Sequence, residues 1–151
     1  LSTRKYRPTD RSDLIGIFRS NTPDFFDPSE QKDFEQFLDL HADTYFVAEV
    51  EGKTVGGAGY FLENNRCGRI SWTLFDPAVH RKGIGREVVQ MCIDELRKID
   101  TVSLITVWTS NAAFRFFEKF GFDTVDFQGN FWGPGLDLYK MEMKISSRPA
   151  G

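Results

Sequence analysis

The sequence predicts a mixed α/β fold in which helices cover both faces of one sheet. Three observations carry that prediction. Two apolar runs, Thr44 to Val50 and Thr54 to Leu62, are separated only by Glu51-Gly52-Lys53, which makes them a hairpin. A second kind of unit follows: an apolar run ending at Phe75, a helical pattern from Ile84 to about Ile99, and a further apolar run from Thr101 to Thr109. Hairpins require antiparallel neighbours and a strand–helix–strand unit allows a parallel pair, so the sheet is expected to be mixed. Helical patterns also lie before and after this group, enough to cover two faces.

Each element can be justified in order. Thr3 to Arg7 reads as a short strand ending at Pro8. Thr9 or Asp10 can cap a helix through about Arg19, with Leu14, Ile17 and Phe18 as its apolar stripe. Asn21 to Pro28 is a loop punctuated by Pro23 and Pro28. Pro28 then opens a second helix to about Leu40, on which Phe34, Phe37, Leu38 and His41 lie at helical spacing. His41 reads as a helix-end residue rather than a ligand. Gly56, Gly57 and Gly59 interrupt the second hairpin strand and read as a bulge or bend. The functional alternative is a strand that lets a ligand or a neighbouring backbone come close. Asn64-Asn65-Arg66 turns into a central strand headed by Cys67. The next helix puts Ile84, Val88, Cys92, Leu96 and Ile99 on one face. Asn111 can cap a short helix closed by Gly121. Strands from Phe122 to Phe127 and Leu136 to Ile145 flank a Gly-rich aromatic loop, and residues 146–151 read as a loose tail. A single domain over residues 1–145 is the expectation.

Composition narrows the function. At 151 residues, with 40% hydrophobic residues and 15 Phe, the chain can bury a substantial core. A net charge of −3 argues against a protein that coats nucleic acid. Cys67 and Cys92 form no C-x-x-C pair, and a reduced, cytoplasmic protein is the better reading than a disulfide. Two histidines, His41 and His80, make no His-based metal cluster, so no metal is expected. No apolar run is long enough to cross a membrane.

The stretch that carries chemistry is S-W-T-L-F-D-P-A-V-H-R-K-G-I-G-R-E, residues 71–87. It reads as the end of a buried strand, a stop at Asp76-Pro77, a basic turn and a helix from Ile84. The first amides of that helix have no partner inside it and sit at the positive end of its dipole. Gly83 and Gly85 open the backbone to close approach, and Arg81, Lys82 and Arg86 add positive charge. Together these make an anion site, most simply for phosphate or pyrophosphate. The plainer alternative is a basic, solvated turn. The third Gly of a dinucleotide fingerprint is absent, since Val88 stands there, and Gly83 is followed by Ile84 rather than the Lys of a Walker loop.

Two ordered motifs, D-P-A-V-H-R-K-G-I-G-R and N-A-A-F-R-F-F-E-K-F-G-F, with this order of elements, resemble the GNAT superfamily of acetyl-CoA-dependent N-acetyltransferases. The resemblance implies a mostly antiparallel sheet of six to seven strands with about four helices on both faces. Its central strands, Ser71–Phe75 and Val102–Thr109, would splay apart to hold CoA. It implies pantetheine bonded to backbone near Leu74 and Phe75, and pyrophosphate on the amides of Arg81, Lys82, Gly83, Ile84, Gly85 and Arg86, with His80 beside them. Asn111 would face the pantetheine arm, and Phe114 and Phe117 would line the cofactor's path. Asn111 as a plain helix cap remains open. The sequence departs from the family pattern at His80, where Gln or Arg is usual, and at Phe117, where many members carry a Tyr that protonates the departing thiolate.

The implied reaction is direct attack of a primary amine on the acetyl thioester in a ternary complex. A thiol of pKa about 8.5 leaves without much help, so Phe117 does not exclude catalysis. The thiolate could also be protonated by water or by another Tyr such as Tyr139. No residue is assigned as the base; Glu63 and Asp76 flank the central strand, and Trp72 on it reads as core or acceptor wall. An acceptor, a small-molecule or peptide amine, is expected between the Asn21–Asp27 and Gln128–Gly135 segments. Phe25, Phe26, Phe131 and Trp132 supply aromatic surface there and Asp24 and Asp27 supply charge, a combination that suits a cation. The plainer reading is that these aromatics pack the loops down. A non-catalytic acyl-CoA sensor is the alternative from another class, and a nucleotide-binding protein using the 81–86 turn is a third. A homodimer is compatible with the resemblance, and no stretch of sequence fixes an interface.

Overall fold

The computed structural model describes residues 1–145. Its strands are β1 (Ser2–Lys5), β2 (Tyr45–Val50), β3 (Lys53–Asn64), β4 (Cys67–Phe75), β5 (Leu104–Thr109), β6 (Asp123–Gly133) and β7 (Leu136–Lys144). The helices are α1 (Arg11–Ser20), α2 (Gln31–Leu40), α3 (Ile84–Arg97) and α4 (Phe114–Glu118). The strands form one sheet in the order β1-β2-β3-β4-β5-β7-β6. Every neighbouring pair is antiparallel except β4 and β5. The mixed sheet with helices on both faces expected from the sequence is the fold observed.

Two cores lie on the two faces. Under α3, the apolar spacing puts Ile84, Val88, Val89, Cys92, Ile93 and Leu96 against Ile70, Ile105, Val107 and Met141. Under α1 and α2, Phe18, Phe34 and Phe37 pack with Tyr6, Tyr45 and Leu74. Both cysteines are free and buried, and burial pushes the Cys92 thiol up to about 12, as expected of a small hydrophobe rather than a reactive group.

The Gly56–Gly59 stretch is shaped by close approach of neighbours. A Cβ on Gly57 would lie 2.6 Å from the Phe46 carbonyl and 2.7 Å from the Tyr45 ring, and one on Gly59 would meet the same ring. The glycines therefore seat Tyr45, and the register shifts between Gly57 and Gly59. At the sheet edge, Arg4 grips Asp10 through two hydrogen bonds of 2.8 and 2.7 Å and reaches Glu49 at 2.6 Å. That network fastens β1 to the turn before α1, and the guanidinium holds the Asp10 carboxyl below the usual range.

Three expectations are corrected. The Gly-rich aromatic loop is mostly strand: β6 continues to Gly133, and only Pro134-Gly135 turns. An irregularity between Gln128 and Gly133 absorbs the extra residues, with Asn130 at φ 53 and its side chain accepting from the Gly135 amide at 2.8 Å. The last strand before α4 begins at Leu104, not Thr101, because Val102 still bonds back to Ile99 and the Arg66 carbonyl takes the amides of Ser103 and Leu104. Asn111 does not cap α4. Its side chain instead accepts from the Asp137 amide at 3.0 Å, tying the β5–α4 loop to β7, while the Ser110 carbonyl takes the amides of Ala113 and Phe114. The tail expected at 146–151 lies outside the described residues.

Candidate active site

The parallel pairing of β4 and β5 covers only Cys67↔Leu104 to Ile70↔Val107. Beyond that point both strands continue but separate, which opens a gap in the middle of the sheet. The cause is a bulge in β4. Ser71 pairs with Gly59 and Leu74 with Gly57, so Trp72 and Thr73 together stand opposite Ala58. An extra residue on one strand bends it away from its line. Trp72 has a φ of 54°, a strained angle for a bulky side chain. The aromatic core holds it there: the Tyr45 hydroxyl donates to the Trp72 carbonyl at 2.7 Å, and the indole packs on Phe34 and Phe26 at 5.2 and 5.9 Å between centroids. The sequence placed this splay by resemblance; the packing that causes it is visible only in three dimensions.

The end of β4 is tightly held. The Asp76 amide donates to the Val55 carbonyl at 2.8 Å. Antiparallel ladders alternate, so the backbone groups of Leu74 also turn toward β3, and those of Thr73 and Phe75 turn toward the gap. The Phe75 carbonyl accepts from Asn21 Nδ2 and from His80 Nε2, each at 2.9 Å. Asn21, only 3% exposed, also donates to the Ile17 carbonyl, so one buried amide locks the end of α1 to the end of β4. His80 is thus a pin within the turn, its ring edge against Phe25, and its Nε2 carries the proton. Of Leu74 and Phe75, the Phe75 amide is the group that faces the gap. Thr73 Oγ1 is buried there and makes no hydrogen bond.

The basic turn folds as its residues dictate. Asp76 Oδ1 accepts from the Ala78 amide, Arg81 has a φ of 67°, and Gly83 caps α3 at a φ of 80°. A Cβ on Gly83 would meet nothing within 4 Å, so glycine serves the backbone angle there. Gly85 is different: its Cβ would lie 3.2 Å from the Phe75 ring. The missing side chain at Gly85 leaves room for that core ring. The amides of Ile84, Gly85 and Arg86 have no carbonyl behind them inside the helix. Arg81, Lys82 and Arg86 are exposed and make no ion pair among the described residues. This end of α3 therefore presents free donors and unneutralised cations to an anion.

Past the gap, Phe117 is 2% exposed, with Phe116 and Phe122 edge-on at 5.0 and 6.0 Å. Phe114 stacks flat on Tyr139 at 4.1 Å, and Tyr139 pairs with Thr109 on the separated part of β5. The structure thus brings the turn, the strand end and α4 around one opening. Asn111 stands apart from it in one respect, since its oxygen is spent on Asp137.

The mouth on the other side joins the 21–30 segment to the β6–β7 hairpin. Asp27 lies directly against Gly133, where a Cβ would collide with its carboxylate. Hydrogen bonds from Ser29 hold the Asp27 carboxyl below its ordinary range. Glu30 Oε2 accepts from the Asp27 amide at 2.9 Å. Burial, with Asp27 and Asp33 nearby, pushes the Glu30 carboxyl up to about 7. Asn21, Glu30 and Thr73 were missed in the sequence; only Glu30 had a readable signal, the capping box Asp27-Pro28-Ser29-Glu30. The aromatics divide. Phe26 stacks inward on Phe18 and Trp72, whereas Phe131 is 41% exposed and Trp132 donates to the Thr109 carbonyl at 3.2 Å. Both carboxylates beside the central strand are engaged: Glu63 with Arg69 at 2.5 Å and Asp76 with its own turn. No group of residues able to hold a metal occurs among the described residues, and none of their helices is long and apolar enough to cross a membrane.

Comparison with known proteins agrees with this geometry. No curated protein matches the sequence. Ard1 from Thermoplasma volcanium superimposes with a TM-score of 0.82 at 17% identity, over 97% of this chain and 98% of that one. An aminoglycoside 6'-N-acetyltransferase complexed with coenzyme A gives 0.79 at 15% identity over 99% and 100%. Ribosomal-protein-alanine N-acetyltransferase from Brucella melitensis gives 0.73 at 22% identity over 96% and 100%. These likenesses establish the fold. The profile of the acetyltransferase (GNAT) family matches residues 14–122, from the first buried residue of α1 through the gap and the basic turn to the end of the α4 motif. The chain belongs to that family and is an acetyl-CoA-dependent acyltransferase.

Proposed function

We propose that the protein transfers the acetyl group of acetyl-CoA to a primary amine of a small molecule or peptide, by direct attack in a ternary complex. The observation that carries this reading is the separation of β4 and β5 beyond Ile70 and Val107, beside the free amides and cations at the start of α3. In this reading the pyrophosphate lies on the amides between Arg81 and Arg86. The pantetheine arm enters the gap and meets the Phe75 amide, and Phe114 and Phe117 border its path. The Asn111 side-chain nitrogen serves the arm while its oxygen holds Asp137.

The amine arrives from the Asp27 side. An alkyl ammonium of pKa near 10.4 is neutral in only about one molecule in 2,500 at pH 7, so it must lose a proton before attack. Its nitrogen then adds to the thioester carbon, a backbone amide of β4 steadies the oxyanion, and the C–S bond breaks with its electron pair on sulfur, while the excess proton on the nitrogen passes to water or to the departing thiolate. Carboxylate and exposed aromatic surface at the mouth favour a cationic acceptor. Among structural neighbours, one is named for an aminoglycoside and one for a ribosomal-protein alanine, which supports an amine without choosing between small molecule and peptide. Two free, buried cysteines support a reducing, cytoplasmic setting.

The test is thiol release from acetyl-CoA against a panel of polyamines, aminoglycosides and peptide amino termini, with CoA, ATP and NAD binding measured alongside. Amine-dependent release with preference for CoA supports the reading. CoA binding without release from any of these amines favours the sensor alternative, and no CoA binding overturns the reading.

A further inference from the structure

The Thr73 hydroxyl is the feature of the gap that its architecture leaves unexplained. Buried polar groups in folded proteins are almost always hydrogen-bonded, and one that is not asks for a reason. Thr73 Oγ1 is buried and has no partner. Its position is defined by the bulge. Leu74 belongs to the aromatic core under α1 and α2, and Phe75 to the core under α3. Side chains alternate along a strand, so Thr73 stands on the α3 face, like Phe75 and Ile70. It stands three residues past Ile70, the last residue of β4 that pairs with β5. Its backbone faces the gap and its side chain stands over the gap's α3 side. A valine of the same shape would fill this place without burying a polar atom.

We propose that the Thr73 hydroxyl donates a hydrogen bond to the thioester carbonyl oxygen of bound acetyl-CoA. The inference rests on the reading above, in which the acyl end of the cofactor occupies the gap. As the amine nitrogen bonds to the carbonyl carbon, the C=O electron pair moves to oxygen, and the hydroxyl, together with a strand amide, faces that growing charge. When the oxyanion collapses, the carbonyl re-forms, the C–S pair leaves on sulfur, and Thr73 keeps its proton throughout. The hydroxyl therefore stabilises charge and takes no part in proton transfer, which separates its role from that of a Tyr at position 117. With no partner in the free protein it need break no internal bond to serve the cofactor.

Thr73→Val and Thr73→Ser are compared with the natural protein in three measurements. These are acetyl-CoA and CoA dissociation constants, kcat/KM for acetyl-CoA, and the infrared carbonyl stretch of bound, isotope-labelled acetyl-CoA. Thr73→Val is expected to lower kcat/KM by about tenfold or more, while Thr73→Ser stays within about threefold of the natural protein. Thr73→Val weakens acetyl-CoA binding and leaves CoA binding unchanged, because CoA has no carbonyl to accept the bond. The carbonyl stretch moves to higher frequency in Thr73→Val alone. Thr73→Ala carries the same expectations should the valine variant fail to fold. Equal loss of CoA and acetyl-CoA binding would mean a merely structural role and overturns the inference. So do an unchanged carbonyl stretch and rate in Thr73→Val when the natural protein turns over. If the natural protein neither binds acetyl-CoA nor releases its thiol, the underlying reading fails instead.

Discussion

The two faces of the sheet are packed with different chemistry, and the difference is functional. Under α3 the core is mainly aliphatic, with Phe46, Phe75, Phe117 and Phe122 among its members, and is built on one long amphipathic helix whose spacing selects its buried side. Under α1 and α2 the core is half aromatic, and its rings pack on Trp72, whose backbone stands at a strained angle. The aliphatic face supplies the helix end where an anion would sit. The aromatic face creates the gap between β4 and β5. Stability is shared by both faces, and the bulge at Trp72 packs on the aromatic one.

Paired truncations put the largest stress on that contrast. Phe34→Ala should destabilise by about 3–5 kcal/mol and Leu96→Ala by about 2–5 kcal/mol, since both side chains are fully buried. The two should separate in kinetics. Phe34→Ala removes packing from Trp72 and should lower kcat/KM for acetyl-CoA measurably below its melting point, whereas Leu96→Ala should not. Equal kinetic effects at matched stability would remove the claimed coupling.

The aromatic side also carries a pH dependence. The folded Glu30 carboxyl titrates near 7 against an ordinary 4.5, because burial favours its neutral form. Its contribution to stability is therefore complete below about 4.5 and is lost as pH rises toward 7, by on the order of 2–3 kcal/mol. Glu30→Gln keeps an oxygen for the Asp27 amide and should flatten the melting temperature over that window. A slope that survives the substitution would assign the effect elsewhere.

On the aliphatic side the expected effects are smaller and concern binding. Arg86→Glu should raise KM for acetyl-CoA by roughly tenfold at low salt, less at high salt, with the melting temperature little changed. Gly83→Ala meets no neighbour and should cost about 1 kcal/mol through its left-handed backbone angle alone. A much larger loss would show that the cap matters beyond its φ.

The basic turn was legible because its chemistry is local: a proline stop, a glycine at a positive φ and the first amides of a helix lie within a few residues. The core face of α3 was legible for the same reason. The mouth was legible only in outline. Aromatic residues at 25–26 and 131–132 were visible, but not that Phe26 turns inward while Phe131 stays exposed. Gly85 was legible as opening the backbone to close approach, but not that a side chain there would press on the Phe75 ring. Asn111 was read as a possible cap, yet its bond goes to Asp137, across a strand.

The sequence by itself determined the order of elements, the two amphipathic faces and the donor-rich start of α3, since each depends on spacing within a few residues. Only the tertiary structure decided where the sheet opens, because the bulge at Trp72 packs with Tyr45 and Phe34, and Tyr45 is seated by Gly57 and Gly59, all distant in the chain. It likewise decided that Asn21 locks the end of β4, that Glu30 is buried and that Thr73 carries an unpartnered hydroxyl. The physical reason is the same in each case. Burial, strain and the satisfaction of a hydrogen bond are set by neighbours brought together through folding, and no local pattern of residues encodes them.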